Sequence, residues 1–311
     1  MLGGGLPILG RALPHGHQAR LMALDACLGV PGLPQSGTGQ ISLLTGVNAP
    51  RRFGAHFGPW PPVRLRGLLE RENLLSRAVG AGVASIFANA YPMGYPDGRH
   101  PRRVAAPPLA ARAAGLLSRH QDELIRGEAV ASEIINAGWR EHLGFRTVPE
   151  VTPRRAGRTL ARLANGARLT FFAHYLTDLA GHRGGMLGSV AALERVDAFL
   201  GGILDDLGRD VTLVMVSDHG NVEDVRGGHT RNPALGLTWG PEGEGLAATC
   251  QRLTDVAPRL LHLLDVPPSH PPAHEPGSPF VHDASSMHDA RSTHDAGSAA
   301  GKEAPGSGDP G

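Results

Sequence analysis

Four short stretches of this chain combine residue types that do chemistry. They are Gln35-Ser36-Gly37-Thr38-Gly39-Gln40, Asp178-Leu179-Ala180-Gly181-His182, Ser217-Asp218-His219-Gly220-Asn221 and His229-Thr230-Arg231-Asn232-Pro233. The third follows an apolar run, which places Asp218 and His219 at the carboxyl edge of a sheet, where open α/β sheets bind ligands. A carboxylate beside an imidazole suits Zn²⁺ or Mn²⁺, although such a pair in a loop also serves as a turn or a hydrogen-bonded structural pair. The second stretch strengthens the metal reading. It too follows a strand-like run, and it sets Asp178 and His182 four residues apart, on one face if the turn is helical. His229 adds a third imidazole in a Gly-rich loop. Two carboxylates and three imidazoles at strand ends are enough for most of two metal sites. Ser36 sits in a Gly-rich turn ahead of a helix expected over Gly39 to Thr45. A hydroxyl and backbone N–H groups at a helix N-terminus suit a phosphate or similar anion, and the plainer role for such a serine is an N-cap.

Bringing positions 36, 178, 218 and 229 together requires a scaffold, and the body of the chain reads as alternating strands and helices. Val83 to Asn89 (VASIFAN), Leu169 to His174 (LTFFAH) and Val211 to Ser217 (VTLVMVS) are strand-type runs. The third is apolar on both faces, as in a central parallel strand covered by helices. Between the last two, Val190, Leu193, Val196, Leu200, Ile203, Leu204 and Leu207 recur at helical steps. Strand, helix, strand in this order is a βαβ unit and implies an α/β fold with a mostly parallel sheet flanked by helices. Residues 92–160 hold a Pro-rich stretch, Pro92 to Pro108, and then Arg-rich helical segments. They read as a small inserted cap or flanking element within a domain spanning 1–266.

From Pro267 to Gly311 the chain is Pro, Gly, Ser, Ala, His and Asp with almost no aliphatic residues. Such a segment cannot bury enough surface to offset its ordering entropy, so a disordered tail is expected. It repeats His-Asp-Ala at His282, His288 and His294; weak metal binding by this tract is conceivable, and a repeat-expanded tail is the plainer reading.

Composition excludes several classes. Thirty basic against 29 acidic side chains leave a net charge of +1, without the surplus that general nucleic-acid binding needs. No apolar run approaches the ~20 residues of a membrane span. Residues 1–14 lack the basic start and clean apolar core of a signal peptide. Cys27 and Cys250 stand far apart, and two cysteines in so long a chain make no disulfide framework, so both are expected as reduced thiols in a soluble cytoplasmic protein.

In order and spacing the four stretches resemble the alkaline phosphatase superfamily, specifically its cofactor-independent phosphoglycerate mutase and phosphopentomutase branch. The resemblance spans roughly 20–266 and is strongest at 34–48 and 169–233. It implies that Ser36 is the nucleophile and also a metal ligand. It further implies that Asp178, His182 and His229 hold one divalent ion and that Asp218 and His219 contribute to the other, the ions being Zn or Mn. The chemistry implied is phosphoryl transfer to and from Ser36 on a small-molecule phosphate ester, with both ions clamping an in-line displacement. Arg231 is the candidate for a further phosphate contact; Asn221 and Asn232 read as supporting or turn residues.

The chain departs from the family in two ways. The family opens on a strand ending in Asp-Gly whose carboxylate serves the second metal. Nothing before Ser36 reads that way, and Asp25 is the only acidic residue there. The stretch from Gly46 to Asp178 is also too short for the large closing domain of the mutases. A catalytically degenerate metal-binding or regulatory member is therefore the alternative. A sulfatase-type hydrolase ranks last, because Ser36-Gly37-Thr38-Gly39 lacks the Pro and Arg of a formylglycine frame.

Overall fold

The computed structural model describes residues 19–97 and 103–268. The expected disordered tail, apart from residues 267 and 268, and the N-terminal stretch 1–14 lie outside the described residues. In chain order the elements are β1 (Arg20–Leu24), α1 (Ser36–Thr45), α2 (Ala49–Phe53), α3 (Val63–Glu72), α4 (Leu74–Gly80), β2 (Ser85–Phe87), α5 (Ala106–Ala113), α6 (Gln121–Arg126), α7 (Ala137–Glu141), α8 (Pro153–Asn165), β3 (Leu169–Phe171), α9 (Leu176–Arg183), α10 (Gly185–Asp206), β4 (Leu213–Val216), β5 (Ala234–Trp239), α11 (Gly243–Thr249) and α12 (Leu253–Leu263).

The mixed α/β class matches expectation; the sheet differs from it. β2 and β3 form a two-stranded parallel pair. β1, β5 and β4 form a separate three-stranded sheet in that order, antiparallel throughout. The chain reverses between β4 and β5 through the loop that carries His229, so β5 returns alongside β4 and leaves β1 at the outer edge. Among the described residues, β3 and β4 each pair along one edge only.

Side-chain alternation shows that both sheets lie between the same two helical layers. Leu213 and Met215 of β4, Ile86 of β2 and Phe172 all pack on the core of α8 and α10, built from Ala156, Leu160, Phe199, Leu200 and Ile203. On the opposite face, Val214 and Val216 meet the cluster of Met22, Leu24, Leu246, Leu253 and Val256, and Leu169 meets Ala257 and Leu261 of α12.

α8 starts where Thr152 accepts a hydrogen bond from the Arg155 N–H and Pro153 occupies the first turn, a standard start signal. It buries Ala156, Gly157, Leu160 and Ala161 and turns its arginines to solvent. Its contact with α10 is close because of two glycines. A Cβ on Gly157 would run into the Phe199 carbonyl, and one on Gly202 into that of Arg154. Only half of the apolar stripe on α10 is covered. Leu200 and Ile203 are buried, whereas Met186, Leu187, Val190 and Leu193 are exposed.

In the segment expected as a cap, α6 and α7 contribute to a small satellite core of Ala90, Leu124, Ala129, Ala131, Trp139 and Val148. The expected boundary at 160 falls inside α8, which packs with the main body. Both cysteines are free thiols, and no described helix is long and apolar enough to cross a membrane.

Candidate metal centre

Most of the expected site residues sit where a regular element ends or begins, while His229 and Arg231 lie in the β4–β5 loop. β3 runs out at Phe171, and α9 starts five residues later with Asp178 in its first turn and His182 one turn on. Their side chains share a face, with Asp178 Oδ1 3.5 Å from His182 Nε2. β4 ends at Val216 and delivers Asp218 and His219 directly. Ser36 is the first residue of α1 and Gln35 is the N-cap residue, so the helix begins three residues earlier than expected and Ser36 is not a cap. Gly39 lets this helix approach, since a Cβ there would come within 2.8 Å of the Asp218 carbonyl oxygen.

These segments meet. Asp178 Oδ1 lies 3.4 Å from His229 Nε2 and 3.9 Å from His219 Nε2. His182 Nε2 and His229 Nε2 are 2.9 Å apart. The His219 and His229 rings stack with centroids 3.7 Å apart. His219 Nε2 is 2.8 Å from Ser36 Oγ and 3.6 Å from Asp218 Oδ1. Asp178, His219 and His229 offer ligand atoms all within 4.8 Å of one another. Six residues from four chain segments thus converge, and Asp178 reaches all three imidazoles.

The hydrogen bonds behind the imidazoles set which nitrogen faces the cluster. His229 Nδ1 is 2.8 Å from the Pro34 carbonyl oxygen, and His219 Nδ1 is 3.3 Å from that of Gly220. A carbonyl can only accept, so Nδ1 carries the proton and each Nε2 lone pair points inward, as in ligating histidines. Asn221 supports the carboxylate, its amide donating to Asp178 Oδ1 at 2.6 Å. Gly181 leaves the room, because a Cβ there would collide with the Asn221 amide oxygen. Gln40 Nε2 donates to Asp218 Oδ2 at 2.9 Å, a role not read from its place in the first motif.

Arg231, the candidate phosphate contact, and Asp25, the one acidic residue ahead of Ser36, both make bonds outside the cluster. Arg231 is exposed, and its Nε donates to the Gly32 carbonyl. Asp25 follows β1, a strand the sequence reading missed, and its Oδ1 accepts the Cys27 and Leu28 N–H groups in a turn.

Electrostatics tie the pair at the centre together. Burial works against the Asp178 charge, but the bond from His229 and the facing His219 and His182 imidazoles outweigh it and hold the carboxyl below its ordinary range. Burial likewise opposes a charged His229, yet the Asp178 carboxylate and the Pro34 carbonyl hold its pKa above the ordinary value. In metal-free protein the His229 contribution to stability is full below its ordinary pKa of 6.5 and is lost as pH rises through the raised value. The Asp178 contribution is present above its ordinary 3.8 and is lost as pH falls through the depressed value. A ligating imidazole must shed its proton, so metal stabilises more as pH rises. Between pH 6 and 8, the melting temperature with saturating Mn²⁺ or Zn²⁺ should therefore climb relative to chelator-treated protein. Parallel melting curves across that range would remove His229 from the ligand set.

Residues 150–268 match the family described as the metalloenzyme superfamily. Among curated relatives, the chain is 28% identical to the 2,3-bisphosphoglycerate-independent phosphoglycerate mutase of Syntrophotalea carbinolica over 54% of this chain and 34% of that one. It is 35% identical to that of Paracoccus denitrificans over 39% and 26%, and 36% identical to phosphoglycerate mutase 2 of Methanosarcina acetivorans over 29% and 19%. The chain thus spans about a third or less of the length of these relatives. A solved structure, the PH0037 protein from Pyrococcus horikoshii, aligns with a TM-score of 0.39 at 17% identity, covering 62% of this chain and 45% of that one, too loosely to define the fold. Residues 150–268, the part of the chain that is similar to the metalloenzyme superfamily, thus carry every carboxylate and imidazole of the cluster.

Proposed function

We propose that this chain is a metal-dependent phosphoryl-transfer enzyme (a phosphatase, phosphodiesterase or phosphomutase) acting on a small-molecule phosphate ester through Ser36. The observation that carries this reading is the placement of Ser36 Oγ 2.8 Å from His219 Nε2, at the border of a cluster of inward-facing donors. A serine buried to 9% exposure at the start of a helix has no packing reason to face such a cluster.

The donor set fits divalent ions. Imidazole and carboxylate are borderline to hard ligands suited to Zn²⁺ or Mn²⁺, and the supporting bonds to the Pro34 carbonyl and from the Asn221 and Gln40 amides orient them as ligands are normally oriented. In this reading Asp178, His182 and His229 hold one ion, and Asp218, His219 and Ser36 the second. Bound there, such ions would lower the pKa of the serine hydroxyl and offset charge on phosphoryl oxygens. The chain's own residues do the positioning: α1 fixes Ser36, β4 fixes Asp218 and His219, and α9 fixes Asp178 and His182. Ser36 Oγ attacks phosphorus as the ester P–O bond breaks, its proton going to the departing alkoxide; the phosphoserine P–O bond is then broken by water in a hydrolase or by a second hydroxyl of the retained alcohol in a mutase, whose proton returns to Oγ. The similarity to phosphoglycerate mutases supports phosphate-ester chemistry.

The alternative is a degenerate member that binds metal without turnover. It is favoured by Asp25, whose carboxylate is committed to a turn, leaving the second ion with Asp218 as its only anionic side chain. Hydrolysis of a chromogenic aryl phosphate separates the two readings. Enzyme activity predicts turnover that requires Mn²⁺ or Zn²⁺ and disappears with chelator. Firm metal binding with no turnover would sink the enzyme reading in favour of the degenerate one.

A further inference from the structure

The two imidazoles that stack at the centre of the cluster come from opposite ends of the single β4–β5 connection, outside any helix or strand. His219 follows β4 and His229 precedes β5. Between them run nine residues, 220–228, and one backbone bridge, Gly220 to Thr230, joins the flanks of this excursion. An imidazole held only by such a loop would wander, and ligand geometry must hold to within a fraction of an ångström to bind metal well.

One side chain closes the excursion. Glu223 Oε2 accepts the Asn221 N–H at 2.7 Å. Its Oε1 accepts the Thr230 hydroxyl in a short hydrogen bond, and also the Asn232 amide at 3.1 Å. The Thr230 oxygen in turn accepts the Asn232 N–H at 3.2 Å. Asn221 is two residues past His219, and Thr230 is the neighbour of His229, so one carboxylate ties both ligand-bearing segments. Gly220 is the position that lets the clasp close, because a Cβ there would collide with Thr230 Oγ1 and crowd Glu223 Oε1. The carboxylate is ionised at neutral pH: partial burial works against its charge, and the bonds from Thr230, Asn221 and Asn232 outweigh that.

We propose that Glu223, which lies outside the ligand set, is a positioning residue that clasps the 219–221 and 229–232 segments and so holds the His229 imidazole against His219 for metal binding. The proposal rests on the metal reading above for its consequence, while the clasp itself can be read without metal. Glu223 is not among the clustered ligand atoms of Asp178, His219 and His229; its effect passes through the segments on either side of the two histidines. A carboxylate is required because all three partners are donors, and an amide in its place would set an NH₂ against one of them.

The test compares wild type with Glu223→Gln and Thr230→Val, using Mn²⁺ and Zn²⁺ as probes. Loss of a residue that orients a ligand weakens metal binding by roughly 10–100-fold, and ~10-fold is expected for Glu223→Gln. The melting temperature of the metal-free protein should stay within about 2 °C, since a change confined to a surface loop moves global stability little. The double variant should be no weaker than the poorer single one, because the two side chains form one bond. In metal-free protein, amide exchange at residues 220–232 should speed up in either variant while α8 and α10 are unchanged. Unaltered metal affinity in Glu223→Gln would overturn the proposal, as would a loss of affinity matched by a global loss of stability. If wild type binds neither ion, the metal reading fails and the exchange data decide the clasp alone: faster loop exchange upholds it, and unchanged exchange rejects it.

Discussion

Ser36→Ala is expected to lower turnover on any phosphate ester that the wild type processes by on the order of 10³-fold or more, as loss of a nucleophile does, while costing only about 1 kcal/mol of stability. The two effects separate because of where the residue sits. Gln35, not Ser36, occupies the cap position of α1, so no capping bond is lost. Alanine is also the better helix former at the first position of that helix. The lost contact is the Oγ bond to His219 Nε2, and that nitrogen still lies near Asp178 and Asp218. Phosphate release and thermal melting on the same preparations measure both quantities. Undiminished turnover in the variant would remove Ser36 from the mechanism, and a large drop in melting temperature would show that the hydroxyl serves folding instead.

The site was legible to the extent that its chemistry is written in local spacing. Asp178 and His182 are four residues apart and do share a helix face. Asp218 and His219 do follow an apolar run that is a strand. Spacing could not show that Ser36, Asp178, His219 and His229 meet, because that depends on contacts across as many as 183 positions; only the order of the motifs, through family resemblance, suggested it. The residues that orient the ligands were mostly invisible. The Pro34 carbonyl carries no side-chain signal, and Glu223, two residues past the Ser217–Asn221 stretch, has no spacing that marks it as a partner of Thr230 and Asn232. Its role arises from a loop closure set by residues seven and nine positions on.

The fold shows a similar division. α10 was readable from apolar periodicity, and β2, β3 and β4 from short apolar runs; α8 was not singled out. β1 and β5 were missed. Arg20–Leu24 is five residues with one charged end, and Ala234–Trp239 is interrupted by Gly236. That glycine is there for a reason no one-dimensional pattern gives, since a Cβ would press on Met22 of the neighbouring strand. With those two strands unseen, the antiparallel half of the architecture was unseen as well. Strand direction depends on how connections cross the sheet, which composition does not encode.

Appending an extended strand that ends in Asp-Gly ahead of β1 is expected to tighten the second metal by roughly 10–100-fold and to raise turnover with it. The physical opening is the pair of free edges on β3 and β4. Both strands pack on the α8 and α10 core, and neither pairs on its second side among the described residues. β4, apolar throughout, is only half-buried along its whole length, where a central strand covered on both faces would be buried. Thr170 on β3 has a buried hydroxyl with no partner. A strand laid between them would pair both edges and cover these side chains. The family resemblance places a carboxylate at the end of such a strand, beside Ser36. In the proposed reading, a second ion held only by Asp218, His219 and a neutral hydroxyl would be bound weakly, because the hydroxyl ligates poorly until deprotonated and one fewer anion makes that deprotonation harder. Calorimetric titration of the chain as it stands should then show one tight ion and a second at least ~10-fold weaker, with slow hydrolysis of a chromogenic phosphate ester. The extended chain should fill both sites and turn over faster. Two equally tight sites and brisk turnover without the extension would show that the carboxylate is already supplied from within the chain, and no tight ion in either form would reject the metal centre itself.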